Sequence, residues 1–277
     1  MSLYITSLNS GSNANCYYIG TNNDAVLIDA GLSCRETEKR MKPLGLSMEK
    51  IKAIFISHEH SDHINGLSGI AKKYQIPVYI TDATFNNCYL SIGISQRTTF
   101  AHNHVIGIGE MKITAFKKSH DAADPYSFMI SANGVNIGII TDIGHACNEV
   151  INCFSKCHAV FLESNYCEEM LANGNYPYHL KRRIAGEQGH LSNTQALELF
   201  KKHRSKYLQL LILSHLSKNN NTPEKVADMF QPHAGSIKIV VASRYEATPV
   251  FCIETSTTEI LHNRKVLRKN ETQLSLF

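Results

Sequence analysis

Apolar residues run through this chain in short alternating or continuous stretches, most of them closed by a polar cluster. Residues 3–8, 16–20 and 25–29 read as strands, separated by turns rich in Asn, Gly and Ser. Residues 33–44 carry a helical pattern, opened by Ser33 as a cap and closed around Pro43 and Gly45. A buried strand follows at 52–57, then a helix at 66–75, a strand at 77–81 and a less regular piece through His104. Strand character returns at 111–118, 127–132 and 135–141, with Asn133-Gly134 as a strong hairpin turn. Further strands at 159–163, 208–214 and 237–242 are separated by helices near 192–203 and 223–230. Runs of strands with helices between the later ones predict an α+β fold with two sheets face to face and helices outside, a four-layer αββα sandwich. No internal repeat of fixed period is visible.

Composition suits one such domain. With 277 residues, 43% of them hydrophobic, the chain can bury a large core, and residues 1–262 are read as that domain. A formal charge of +4 permits a polyanionic substrate without requiring one. Eight cysteines (Cys16, Cys34, Cys88, Cys147, Cys153, Cys157, Cys167 and Cys252) form no C-x-x-C pair, and residues 1–5 lack both a basic start and a long apolar stretch. The expectation is reduced thiols in a cytoplasmic protein. No run approaches the roughly eighteen apolar residues of a membrane span, so no membrane association is expected. Cys153, Cys157 and His158 fall at helical spacing that can mimic a metal site, but buried thiols on a helix leading into a strand are the preferred account.

The chemistry concentrates in His58-Glu59-His60-Ser61-Asp62-His63, directly after the apolar run Ile54-Phe55-Ile56. Three imidazoles and a carboxylate so close together read as a binuclear metal site. His58 and His60, two apart on an extended segment, point the same way and share one ion, while Asp62 and His63 follow a turn and serve a second. Imidazole nitrogen suits zinc, and the carboxylate admits manganese or iron, so the metal stays open. Loops at strand ends converge on one face of a sandwich, which adds Asp29, His120, Asp142 and His215 as candidates. For Asp29, a helix cap or turn former is an equal alternative.

These segments resemble the metallo-β-lactamase superfamily along nearly the whole chain, through Leu27-Ile28-Asp29-Ala30-Gly31, the histidine cluster, His120, Thr141-Asp142 and Ser214-His215-Leu216-Ser217. More closely they resemble its YycJ/WalJ-type branch, through Ser10-Gly11-Ser12-Asn13, Asn15-Cys16-Tyr17-Tyr18, Ser119-His120-Asp121-Ala122, Leu162-Glu163-Ser164-Asn165, Gly189-His190-Leu191-Ser192-Asn193 and His215-Leu216-Ser217-Lys218-Asn219-Asn220. The first motif departs at Ala14, where relatives usually carry Gly. This branch is similar to ribonuclease Z and ribonuclease J.

The resemblance implies the metallo-β-lactamase fold and two divalent cations. His58, His60 and His120 would hold one, Asp62, His63 and His215 the other, with Asp142 bridging and Asp29 steadying the loop from behind. Asp62, Glu163 and His190 would be catalytic, Glu163 orienting His190 as the proton-handling group, although His190 as a structural cap is the alternative. Two ions sharing an activated water favour phosphodiester hydrolysis. A lactamase would usually carry an export signal, and a diiron reductase would have a carboxylate in place of His60. The implied function is a 5′-to-3′ DNA exonuclease of repair or replication. The alternatives are a small-molecule phosphodiesterase or thioesterase and a non-catalytic repair partner.

From about residue 263 the chain turns polar and basic, then ends in Gln273-Leu274-Ser275-Leu276-Phe277. These five residues resemble the pentapeptide with which bacterial replication and repair proteins dock on the DNA sliding clamp, and docking is preferred over packing at the end of an edge strand. Tyr176-Pro177-Tyr178-His179 and Lys181, Arg182 and Arg183 mix aromatic and basic groups suited to a nucleic-acid backbone. Lys201, Lys202, His203, Arg204 and Lys206 are read as the exposed face of a helix.

Overall fold

The computed structural model describes residues 2–255 and contains two sheets of seven strands each. The polar segment from 263 and the peptide at 273–277 lie outside the described residues. The first sheet holds β1 (Leu3–Asn9), β2 (Cys16–Gly20), β3 (Ala25–Ile28), β4 (Ile51–Phe55), β5 (Val78–Tyr79) and β6 (Arg97–Thr98). The second holds β7 (Val105–Ile108), β8 (Met111–Lys117), β9 (Tyr126–Ala132), β10 (Val135–Ile140), β11 (Ala159–Glu163), β12 (Leu210–Ser214) and β13 (Lys238–Val241). A last strand, β14 (Phe251–Ile253), returns to the first sheet beside β1.

Each sheet follows the same plan. In the order β14-β1-β2-β3-β4-β5-β6, the pairs up to β3 are antiparallel and those beyond it parallel. In the order β7-β8-β9-β10-β11-β12-β13, the change falls at β10. The strands that switch partners, β3 and β10, are therefore equivalent, and each is followed closely by an aspartate, Asp29 and Asp142.

Period-two alternation explains the layers. Val26 and Ile28, Ala53 and Phe55, Ala159 and Phe161, and Leu210 and Ile212 all face the core between the sheets. Their neighbours Leu27 and Ile54 face outward to Met41, Leu67 and Ile70. On the other side, Val160, Leu162, Leu211 and Leu213 meet Phe154, Phe200 and Phe230. Each fully buried large side chain contributes about 1.5–3 kcal/mol, so a strand with two apolar faces can be stabilised only under helices on both sides of the double sheet. Those helices are α1 (Cys34–Met41), α2 (Ser61–Ile64), α3 (Leu67–Tyr74), α4 (Asp82–Asn86), α5 (Asn148–Phe154), α6 (Glu168–Asn173), α7 (Tyr178–Ile184), α8 (Asn193–His203) and α9 (Pro223–Phe230). Ser33 caps α1, Thr222 caps α9, and Ser192 forms a reciprocal cap with Gln195 on α8.

The Cys153, Cys157 and His158 trio is core rather than site, although only Cys153 lies on the helix α5. The Cys157 thiol donates to Cys153 O, and His158 Nδ1 accepts from the Asn136 N–H at 3.1 Å. All eight cysteines are free thiols. Among the described residues, no helix is long and apolar enough to cross a membrane.

Candidate metal centre

The histidine-rich segment leaves the sheet just beyond β4, and His60 sits at the N-cap position of α2. That single helical turn returns Asp62 and His63 to the neighbourhood of His58, whose ring lies 4.0 Å from that of His63. Close backbone approach fixes the loop. A Cβ on Gly31 would lie 1.8 Å from Asp62 O, and the same carbonyl accepts the Asn15 N–H at 2.7 Å. Only glycine fits at that contact.

Two groups of donors form at the carboxyl ends of the strands. His60 Nδ1 lies 3.1 Å from His58 Nε2 and 3.3 Å from His120 Nε2. Asp62 Oδ2 lies 3.4 Å from His63 Nε2 and 3.5 Å from His215 Nε2. Asp142 faces both groups: Oδ1 is 3.3 Å from His215 Nε2 and 4.0 Å from His120 Nε2, and Oδ2 is 3.3 Å from His63 Nε2. The sets His58/His60/His120 and Asp62/His63/His215 each place three ligand atoms close enough to hold one metal ion.

Behind these atoms, the far nitrogens of the rings are tied down. His120 Nδ1–H donates to Gly189 O at 3.0 Å, which leaves Nε2 as the lone-pair nitrogen. Ser57 Oγ donates to Asp29 Oδ2 at 2.9 Å and accepts from His58 Nδ1–H at 2.8 Å. His63 Nδ1–H donates to Asp29 Oδ2 at 2.7 Å, while Asp29 Oδ1 accepts the Ser57 N–H at 2.8 Å. Fully buried, Asp29 thus engages both its oxygens within the protein. Glu163 Oε1 accepts from His190 Nδ1–H at 2.8 Å and from His215 Nδ1–H at 3.1 Å, and Oε2 accepts the Ile143 and Leu191 N–H groups. Fixing one ring nitrogen in this way aims the other and raises its basicity.

The donor set fits divalent cations. Burial opposes charge on Asp142, yet His215 and His63 beside it hold its carboxyl well below the usual carboxylate range. Burial likewise opposes charge on Asp62 and Glu163. His63 and His215 nevertheless lower Asp62, and His190 and His215 bring Glu163 to about 2. Asp142 Oδ2 is buried without a hydrogen bond of acceptable geometry among the described residues, despite His63 Nε2 nearby. Ionised carboxylates packed this closely, one with an oxygen left over, require positive charge, which Lys118 and the protonated His63 and His215 supply here and which divalent cations would supply in place of the imidazole protons. The Lys118 Nζ is buried and donates to Thr141 O at 2.8 Å. Backbone strain marks the same places: Asp29, Asp142 and His215 hold φ of 61°, 54° and 58°, at roughly 1–3 kcal/mol each.

Protonation of the imidazoles divides along the same line. Burial disfavours charge on His215, but Asp142, Asp62 and Glu163 outweigh it and raise the pKa to about 10. His63, buried beside Asp29, Asp62 and Asp142, is also raised well above 6.5. Burial keeps His58 well below 6.5 and His120 at about 4. A raised histidine stabilises the fold fully below its unfolded pKa and loses that contribution as pH climbs through its folded value. A lowered one destabilises as pH falls below 6.5. In chelator-treated protein, thermal melts should therefore show stability declining from about pH 6.5 toward about 10, and again from 6.5 toward about 4. Metal must displace the protons on His63 and His215, so affinity rises with pH. Calorimetry in buffers of different protonation enthalpy should report release of about two protons.

A cavity of about 270 Å³ opens over these groups, lined by Ser12, His60, Asp62, Asp142, Arg183 and His190 among others. The His190 ring lies 5.2 Å from that of His120 and 5.3 Å from that of His215. Sequence reasoning singled out no role for Asn15, Ser57 or Lys118. The Asn15 amide nitrogen lies 2.9 Å from Asp62 Oδ2 and 3.0 Å from His63 Nε2. Its place in the Asn15-Cys16-Tyr17-Tyr18 motif was the available signal. Two successive lysines, Lys117 and Lys118, offered none for which is buried.

A double sheet with a histidine- and carboxylate-lined cleft at its strand ends defines a metal-dependent hydrolase. The profile of the Beta-lactamase superfamily domain matches residues 24–216. The chain is 36% identical over 227 residues to Exodeoxyribonuclease YycJ of Bacillus anthracis, spanning 81% of this chain and 86% of that protein. To Exodeoxyribonuclease WalJ of Streptococcus pneumoniae it is 32% identical over 222 residues, 78% of this chain and 82% of the relative. The metallo-beta-lactamase fold protein YhfI from Bacillus subtilis shares the fold with a TM-score of 0.71 at 16% identity, covering 91% of this chain and 100% of that one. Human tRNase Z, short form, does so with a TM-score of 0.60 at 16% identity, covering 88% and 98%. The chain belongs to the metallo-β-lactamase superfamily, in the branch of the YycJ and WalJ exodeoxyribonucleases.

Proposed function

We propose that this chain is a DNA exonuclease, a phosphodiesterase that works with two divalent cations, zinc, manganese or iron, in the 5′-to-3′ direction during repair or replication in the cytoplasm. The observation that carries it is His190, held by Glu163 at 2.8 Å on the wall of a cleft also lined by His60 of one donor triad and by Asp62 and His215 of the other. The names of the relatives from Bacillus anthracis and Streptococcus pneumoniae support the substrate. His58, His60 and His120 would hold one ion, Asp62, His63 and His215 the other, with Asp142 between. When bound, the cations supply Lewis-acid activation of water and offset negative charge on the attacked phosphate. Asp62 would help hold the second ion, and its carboxylate would accept a hydrogen bond from the water that attacks the phosphate. His190, its Nδ1–H fixed on Glu163, carries a proton on Nε2 and gives it to the departing sugar oxygen. Asp29 keeps Ser57 and His63 in register.

One further cavity shares Arg183 with the cleft, and Arg244 of another lies 3.5 Å from Ser12 on the cleft wall, which favours a polymer over a small diester. End-labelled single- and double-stranded DNA incubated with manganese should be shortened by the wild type and left intact by His60→Ala. If the wild type produces no metal-dependent cleavage, the proposal fails. The clamp-docking role of Gln273, Leu274, Ser275, Leu276 and Phe277 belongs to the same proposal and is supported by their pattern in the sequence. Immobilised sliding clamp should retain the full chain and release a version deleted for 273–277. Equal retention of both removes this role.

A further inference from the structure

Two segments singled out in the sequence, 10–13 and 215–220, include residues with no place in either triad. They meet at Arg244. The guanidinium donates from Nη2 to Leu216 O at 2.7 Å and lies 3.5 Å from Ser12 Oγ. Asn13 Nδ2 donates to Arg244 O at 3.2 Å, and the Ser10 N–H donates to Ser243 O at 3.1 Å. Gly11 holds a φ of 148°, and a Cβ there would lie 2.9 Å from Arg244 Nη2, so glycine leaves room for the guanidinium. The His215 N–H donates to Ser10 Oγ at 2.8 Å, which joins this assembly to the metal centre through one residue.

Beside Arg244 is a cavity of about 360 Å³ whose lining includes Ser10, Ser217, Lys218, Asn221, Arg244 and Tyr245. Two cations line it, and among the described residues neither has a carboxylate partner. Arg244 has five N–H donors, and the contacts above engage only Nη2. Glu246 also lines the cavity but is exposed, so an anion would seat on the Arg244 side. Tyr245 is 73% exposed and offers an aromatic face to a base. Ser12 lines the metal cleft and touches Arg244, so a strand lying across the cleft would bring a neighbouring phosphate to this cavity.

We propose that the Arg244 cavity is a phosphate subsite for the nucleic-acid strand, next to the phosphodiester at the metal centre, with Arg244 and Lys218 as its cations. This rests on the nuclease reading. The phosphate comes either from a strand terminus or from an internal linkage, and one experiment separates the two. Internally labelled single-stranded DNA carrying a 5′-phosphate, a 3′-phosphate or neither is bound to the protein in EDTA, and fluorescence anisotropy is followed. If a terminal phosphate is held, the wild type prefers one phosphorylated form by roughly tenfold, as expected for a charge-assisted pair, and Arg244→Ala removes the preference. If an internal phosphate is held, Arg244→Ala weakens all three forms alike by a similar factor. No change in any form overturns the subsite.

Thermal melts check that Arg244→Ala is folded. Should it not be, Lys218→Glu, at an exposed position, carries the same comparison, with a several-fold loss expected and no loss overturning the subsite. Cleavage of end-labelled DNA by the wild type is scored separately. Phosphate-dependent binding without cleavage removes the nuclease reading and keeps the subsite. Cleavage with binding indifferent to Arg244 and Lys218 does the reverse.

Discussion

Asp142→Ala should lower metal-dependent cleavage by at least about a thousandfold, because the carboxylate would hold the cations that stabilise negative charge at the reacting centre. Its carboxylate approaches the free nitrogens of imidazoles in both triads, with Oδ1 toward His215 and His120 and Oδ2 toward His63. Truncation removes an ionised carboxylate from a place where burial opposes its charge and two imidazoles sustain it. Metal content by atomic emission should fall from about two ions per chain to one or fewer. Full metal content together with full activity in this variant would mean that Asp142 holds neither ion.

His190→Ala has the second largest effect and a different signature. The rate constant kcat should drop roughly a hundred- to ten-thousandfold, as for removal of a general acid, while metal content and KM change little. Glu163→Gln tests the same proton path and adds a contrast, because Glu163 Oε1 accepts from both His190 and His215. This variant should lose metal affinity by roughly ten- to a hundredfold in addition to rate. A His190 variant that loses its metals, or keeps its rate, would reassign the residue to a structural role.

Most of the strands and the strand-end side chains were legible because alternation and position report them directly. Asp29, Asp142 and His215 follow strands buried on both faces, and Glu163 and the loop bearing His120 also mark strand ends. Less was visible where packing is shared or absent. α7 has no buried residue, so no apolar stripe betrays it. β14 is three residues long and exists only because Leu3, Tyr4 and Ile5 present an edge to it from the start of the chain. Glu163 was assigned to His190 alone, and its second bond, to His215, depends on the register of β11 against β12. Asp29 and Asp142 look alike in sequence and occupy equivalent strand ends. Ser57 and His63 engage both oxygens of Asp29 and make it a support, whereas among the described residues Asp142 keeps one oxygen without a hydrogen bond and lines the cleft.

The pairing of β1 with β14 also bears on how the molecule is made. Leu3 finds its partner in Ile253, so during translation the outer edge of β1 stays bare until that residue has left the ribosome. An unpaired edge on a nascent polypeptide is a template for a neighbouring chain on the same polysome. The yield of soluble protein should accordingly follow chaperone capacity and elongation speed more closely than the stability of the finished molecule.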